Sequence, residues 1–333
     1  MEDNKIKLTP ILDSIYLGKL EDAIYFSPKY SEYISNSRLG LLKQKGEEAF
    51  INGFVDQGFN SSFFTGSLVH ELTLQEDLFE LAPDLDKPTA KLGAMADKLY
   101  SSFIENNNVS DADIYKASDS VNYYKGKMNE DKCEFVRGMC MKYWRNRREF
   151  ENTHVTNRTI EYADAKTIDL VNGCVTALHD NIRVQELLHP KDSFGNDIIS
   201  ENEQAILLDI KVEAEGREAN IIHLKAKIDN YTIDKESNTI TINDVKTTSQ
   251  DTRDFANSIE NFSYYRELSW YAMLLRFYAA LHLDMPNPII KGNFLVVSTK
   301  DPYYTAVYPM NKQLFIKGIE EYKHLLKQSS ILL

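Results

Sequence analysis

Near residue 200 the hydrophobic period of this chain changes, and few folds accommodate what lies on both sides. Before the change, SSFFTGSLVHELTL, KPTAKLGAMADKLYSSFIENN, DKCEFVRGMCMKYWRNRREF and TIEYADAKTIDLVNGCVTALHDN carry apolar residues three and four apart, the spacing of a helix with one buried face. Asp111 and Thr159 read as helix caps. After it, QAILLDIKVEA, ANIIHLKAKIDNYTI and NTITINDVKTT read as strands separated by EGRE and DKES turns. A helix is predicted from about Asn261 to Leu283, stopped by Pro286 and Pro288. NFLVVST and YYTAVYP read as two further strands, and NKQLFIKGIEEYKHLLKQ as a closing amphipathic helix capped by Asn311. The expected architecture is α/β. Residues 1–200 form a mainly helical part and residues 201–333 a mixed β-sheet core flanked by helices, together one compact unit.

Composition removes several function classes. With 43% hydrophobic residues the chain can bury a core. No stretch reaches about 18 uninterrupted apolar residues. The N-terminal MEDNKIKLTPILDSIYLG also lacks a basic segment followed by a long apolar one, so an unexported, cytoplasmic protein away from membranes is expected. Cys133, Cys140 and Cys174 are odd in number and show no C-x-x-C spacing, which suggests neither a disulfide framework nor a closed cysteine metal site. A net charge of −12 argues against coating nucleic acid by bulk electrostatics but leaves room for a local basic track. Lys142, Arg145, Arg147 and Arg148, interleaved with Tyr143 and Trp144, are either such a track or a solvated helix end with two aromatics turned inward.

The hairpin from His223 to Thr248 carries the chemistry. A turn centred between Glu236 and Ser237 sets Ile233 opposite Ile240, Tyr231 opposite Ile242, Asp229 opposite Asp244 and Lys227 opposite Lys246. All eight side chains then share one face. Opposed carboxylates at about 5 Å repel unless one hard cation accepts an oxygen from each. Lys246, two residues beyond Asp244, points the same way and could position a water or balance charge on a phosphate. Magnesium suits such a site because it takes few carboxylates and keeps waters and substrate oxygens. An exposed hairpin with a solvated polar face is the plain alternative.

KAKIDNYTI followed by INDVKTT resembles the paired motifs of the PD-(D/E)XK nuclease superfamily. TGSLVHELTLQEDLF resembles the G-x-x-x-H motif of its RecB-like exonuclease group, closest to the RecE-type (exodeoxyribonuclease VIII) and lambda-exonuclease-like phage nucleases, and ELSWYAMLLR resembles their Q-x-x-x-Y motif. The order His70, Asp229, Asp244 with Lys246, Tyr271 is similar as well, over roughly residues 55 to 300. The resemblance implies a restriction-endonuclease-like core and a magnesium-dependent deoxyribonuclease, with manganese able to substitute. Its catalytic residues would be Asp229, Asp244 and Lys246. Its metal would be held by His70, Asp229, Asp244 and the backbone carbonyl of Val245, and its substrate by Lys227, Glu267 and Tyr271. It also implies DNA as partner, exonuclease action from duplex ends in phage or prophage recombination or DNA processing, a single-strand annealing partner and a ring-shaped homo-oligomer, in a bacterial or phage-infected cell. An endonuclease on the same core, and a nuclease-fold protein that binds nucleic acid or protein without cutting, stay open beside it. Gly66 and His70 share a helix face, where the glycine would allow close approach to the sheet; a histidine so placed is either structural or a ligand. Glu267 stands where the resembling group has Gln, and next to phosphates it needs a lysine or a second metal. Three scattered cysteines cannot hold an iron–sulfur cluster, and no G-x-x-x-x-G-K-[ST] loop is present for unwinding.

Overall fold

The computed structural model describes residues 6–53, 60–124, 126–196, 198–214 and 218–332. They form two compact units, Met1–Glu76 with Leu170–Leu333, and Asp77–Asp169. The first unit opens with strands β1 (Ile6–Pro10) and β2 (Tyr16–Gly18), then helices α1 (Asp22–Tyr25), α2 (Asn36–Lys45), α3 (Glu47–Asn52) and α4 (Ser61–Leu74). The second holds β3 (Phe79–Pro83), α5 (Ala90–Asn106), α6 (Asp111–Val121), α7 (Glu130–Thr153) and β4 (Thr159–Ala163). Helix α8 (Ala165–Asp180) leads back to the first unit. There α9 (Ile182–Leu188), β5 (Ile199–Ala214), β6 (Asn220–Asp234), β7 (Thr239–Thr248), α10 (Phe255–Asn261), α11 (Tyr264–His282), β8 (Ile289–Ser298), β9 (Thr305–Pro309) and α12 (Lys312–Leu332) complete the chain.

In the first unit a mixed sheet of seven strands runs β1-β5-β6-β7-β8-β9, with β2 also pairing to β5. Every neighbouring pair is antiparallel except β7 and β8. Parallel neighbours need a crossover, and α10 and α11 supply it. Trp270, Leu274 and Leu275 of α11 and Leu325 and Leu326 of α12 pack with Ile206, Leu208, Leu224 and Ile242 of the sheet into one core. Arg266 of α11, buried, donates to Glu321 Oε1 of α12 at 2.7 Å and to Asn36 Oδ1 of α2 at 2.8 Å, tying three helices together.

The expected mixed sheet flanked by helices is the architecture found, with differences in detail. Strands β1 and β2 lie in the stretch read as helical, because their partner β5 is far along the chain and gives no local signal. Thr159 is not a cap but begins β4, which pairs in parallel with β3. The first turn of α8 is capped instead by Asp164, whose Oδ1 accepts from Thr167 N at 2.8 Å. Ser110 rather than Asp111 caps α6, its Oγ accepting from Asp113 N at 3.2 Å. Asn311 caps α12 as expected, accepting from Leu314 N at 2.9 Å. The change of period at residue 200 follows the kinds of element, whereas the compact units follow long-range contacts and divide the chain at 76 and 169.

The second unit has its own core of Met95, Leu99, Phe103, Ile114, Val136 and Trp144. Within it three of the four basic residues of the cluster are already engaged, and Arg145 is exposed. Trp144 is fully buried and its Nε1 donates to Ala96 O at 2.8 Å; Tyr143 OH donates to Asp97 Oδ1 at 2.7 Å. Lys142 pairs with Asp86 at 2.9 Å, Arg147 with Glu151 at 2.8 Å, and Arg148 donates to Asn107 Oδ1 at 2.8 Å. The two aromatics are therefore core residues, unable to stack on bases.

Candidate active site

The β6–β7 hairpin keeps the register reckoned from its turn for five pairs, Asp234↔Thr239 to Asn230↔Asn243, and then the ladder stops. Asp234 fixes the turn by accepting from Glu236 N at 3.0 Å and Ser237 N at 3.1 Å. Where the backbones part, a side chain takes over: Asp229 Oδ2 accepts from Val245 N at 2.8 Å. Lys227 is consequently not opposite Lys246. It pairs on β5 with Ala205, and its Nζ reaches Asp22 Oδ1 at 2.6 Å and Glu203 Oε2 at 2.9 Å. Burial alone would lower the Lys227 pKa, but Glu203 and Asp22 outweigh it and raise the value.

His70 of α4 stands over this opening. Its Nδ1 lies 3.3 Å from Asp229 Oδ2, and the Val245 backbone beside the ring favours its protonated form. A Cβ on Gly66 would meet Thr247 Oγ1 at 3.4 Å, so α4 runs against β7 at ordinary van der Waals distance. Glu203, unremarked in the sequence, completes the group. The pairs Asn202↔Asn230 and Gln204↔Ile228 bracket it and place it across from Asp229 on β5. One ligand atom each from His70, Glu203 and Asp229 lie within 4.8 Å of one another. Among the described residues these three alone form such a group.

Asp244 occupies the adjoining position with different neighbours. It is 1% exposed, and its Oδ1 accepts no hydrogen bond among the described residues. Lys246 Nζ lies 2.8 Å from its Oδ2 as an ion pair. The same Nζ is 3.3 Å from Glu267 Oε2 and 5.0 Å from the centre of the Tyr264 ring. Glu267 thus has the lysine its position asks for. Its Oε1 accepts from Tyr271 OH at 3.1 Å, four residues on along α11. Glu267, Tyr271 and Lys227 line a common cavity of about 850 Å³ that extends to Tyr33, Arg38 and His223.

Burial and like charge set the electrostatics. Burial pushes Asp229 up to about 7, with Glu203 adding to it against the pull of Lys246. Asp244 is raised well above the carboxylate range, first by burial and then by Asp229 and Glu267. Burial and the Lys246 charge bring His70 down to about 4, so its ring is neutral near pH 7. Lys246 loses by burial but gains more from Asp244 and Glu267, and its pKa is raised. Carboxylates disfavoured as bare anions, a buried carboxylate oxygen without a donor and a neutral imidazole suit a divalent cation. The donor set fits one.

Beneath the site runs a ladder of amides. On each of three strands an asparagine adjoins one of the carboxylates: Asn202 beside Glu203, Asn230 beside Asp229, Asn243 beside Asp244. Asn230 Nδ2 donates to Asn202 Oδ1 at 2.7 Å, Asn243 Nδ2 to Asn230 Oδ1 at 2.7 Å, and Asn293 Nδ2 of β8 to Asn243 Oδ1 at 2.9 Å. Asn202 Nδ2 continues to Leu74 O at the end of α4, the helix of His70. Strand neighbours point to opposite faces, so the ladder locks four strands on one side and aligns the carboxylates on the other.

No protein-family model matches the chain, and no curated protein is similar to it. Among solved structures the chain is similar to a putative exonuclease from Eubacterium rectale, at 8% identity and a TM-score of 0.45, over 93% of this chain and 85% of that chain. No helix among the described residues is long and apolar enough to cross a membrane.

Proposed function

We propose that this chain is a magnesium-dependent deoxyribonuclease, acting as an exonuclease from duplex ends in phage or prophage recombination or DNA processing. The observation that carries the metal-dependent reading is Asp244, a buried carboxylate whose one close partner among the described residues is the half-buried Lys246 ammonium at 2.8 Å, next to the His70, Glu203 and Asp229 group. Lys246 compensates that charge only in part, since burial, Asp229 and Glu267 still disfavour the Asp244 anion, and a divalent cation would complete the compensation. The ordered motifs around His70, Asp229, Asp244, Lys246 and Tyr271 support DNA as substrate, and action from an end rests on the same resemblance.

The residues divide the work. His70, Glu203, Asp229 and Asp244 would hold the cation, with the Val245 carbonyl nearby. When bound, it supplies polarisation of the phosphate and of a water. Lys246 keeps its proton and offers it as a hydrogen-bond donor to the attacking water or to charge developing on phosphate oxygen. Glu267 holds that ammonium from the far side, and Tyr271 OH holds Glu267. Lys227 and the cavity wall face the rest of the strand.

The test is digestion of end-labelled linear duplex, closed circular duplex and single-stranded DNA by the purified chain, with magnesium and with chelator. Linear duplex should shorten from its ends only with metal, circles should survive, and activity should fall as salt rises because phosphate contacts hold the strand. Linearisation of closed circles at low enzyme would replace the exonuclease with an endonuclease on the same site. Stoichiometric DNA binding without turnover in magnesium would remove the nuclease assignment.

A further inference from the structure

We infer that the recess between α11, α12 and β8 is a docking site for an acidic peptide segment of a partner protein that carries a large apolar anchor residue. The recess measures about 660 Å³. Its floor is apolar, made by Met273, Phe277, Ile290, Met310, Phe315 and Ile319. Arg183, Arg276, Lys291, Lys312 and Lys323 also line it, and among the described lining residues none is Asp or Glu. In a chain where 50 acidic residues outnumber 38 basic ones, five cations without one acid is a local reversal of sign. Arg183 is paired, 3.1 Å from Glu186. Arg276, Lys291, Lys312 and Lys323 have no ion pair among the described residues.

An apolar pocket with unneutralised cations around it selects an apolar body with anionic groups beside it. The floor chooses a peptide over a nucleotide base. Of the three uncharged polar side chains in the lining, two are already engaged: Ser269 Oγ donates to Tyr265 O at 2.7 Å, and Asn293 Nδ2 donates to Asn243 Oδ1 at 2.9 Å, which leaves the Tyr322 hydroxyl. A base edge, with several donors and acceptors, would find one hydroxyl there and stay largely unsatisfied, whereas a Phe or Leu side chain asks for no partner. Gly292 leaves room for the wall, since a Cβ there would meet the Phe315 ring at 3.0 Å. The recess includes none of the candidate ligands or substrate-facing residues of the active site, and shares with it only Asn293, the outer rung of the amide ladder. Its occupant therefore leaves the Lys246 face of α11 open, and the proposal stands apart from the nuclease reading.

Fluorescence anisotropy on the full chain tests it with three labelled peptides: Glu-Asp-Glu-Phe-Leu, its neutral analogue Gln-Asn-Gln-Phe-Leu, and Glu-Asp-Glu-Gly-Gly, which has no anchor. The first should bind saturably, and each of the others at least about tenfold more weakly. Lys291→Glu with Lys312→Glu, both exposed, should weaken the first by about tenfold as well, since two pairs are lost. Arg276→Glu, with a thermal melt on every variant, provides a second folded test. Equal binding of the neutral peptide, no effect of the reversals in folded variants, or no saturable binding overturns the proposal. A preference for single-stranded oligonucleotide or for phosphatidylglycerol vesicles, lost in the same variants, would assign the recess to that ligand instead and likewise overturn it.

Discussion

Asp229 and His70 touch, yet their protonation pulls stability in opposite directions. Without metal, Asp229 binds a proton more tightly folded than unfolded, its pKa rising from 3.8 to about 7. That contribution is complete below about pH 4 and is lost as pH rises through 7. His70, lowered from 6.5 to about 4, contributes above its ordinary value and loses it as pH falls through 4. Asp229→Asn imitates the protonated acid. In chelator its stability relative to wild type should be near zero at pH 4, grow up to pH 7 and then level, reaching a few kcal/mol since each decade of proton affinity is worth about 1.4 kcal/mol. Denaturation curves across pH read this, and a flat difference would refute the charge assignment. Saturating magnesium should restore the wild type and leave the variant behind. In digestion assays, Asp229→Asn, Asp244→Asn and Lys246→Ala should each cost at least about 100-fold, while His70→Ala and Glu203→Gln cost about tenfold and raise the magnesium needed. Full activity in any of the first three would sink the site assignment.

At the scale of elements, the amide ladder is what allows three strands to bring carboxylates side by side. Asn243→Leu would strand the Leu187 carbonyl, which its Nδ2 serves at 2.9 Å, along with Asn230 Oδ1 and Asn293 Nδ2. We expect a loss of about 3 kcal/mol in urea denaturation and a weaker response to magnesium, since unsatisfied buried groups cost about 1–3 kcal/mol each. A loss under about 0.5 kcal/mol would mean the ladder is incidental. Sequence alone reveals only part of this arrangement. Asp244 and Lys246 stand two apart on a strand bounded by a strong turn, and alternation suffices to put them on one face. Glu203 was open to the same arithmetic across the EGRE turn, but it sits at φ +52° within a strand, where no side-chain pattern marks it. The parting of β6 from β7 after Asn230 is equally silent, because a ladder's end depends on what else competes for the strand edge. Here the Asp229 side chain takes the Val245 N–H that the strand edge would have used, and Ile34 bridges Leu224 farther along β6.

For the molecule as a whole, the two compact units each have their own hydrophobic core, and each core holds one of the chain's two tryptophans. Trp270 lies in the core of the sheet unit and Trp144 in the helical one. Separate cores predispose to separate cooperative transitions. Trp144→Phe and Trp270→Phe variants should give denaturant curves by fluorescence that do not coincide, each following the unit whose tryptophan remains. Superimposable curves would show that the units unfold as one. The change of period at residue 200 could not reveal this division, because β3 and β4 open and close the second unit with a parallel pairing that is local to neither strand.

The asparagine ladder also makes a reporter of the site that needs neither substrate nor metal. Asn230 and Asn243 are fully buried, and their side-chain amide protons are spent on neighbours in the sheet and on the Leu187 carbonyl of α9. In deuterated solvent those protons can be replaced only when the strands separate, so their nuclear magnetic resonance signals should outlast those of surface asparagines by orders of magnitude. Their decay would time how often the carboxylates above them lose alignment.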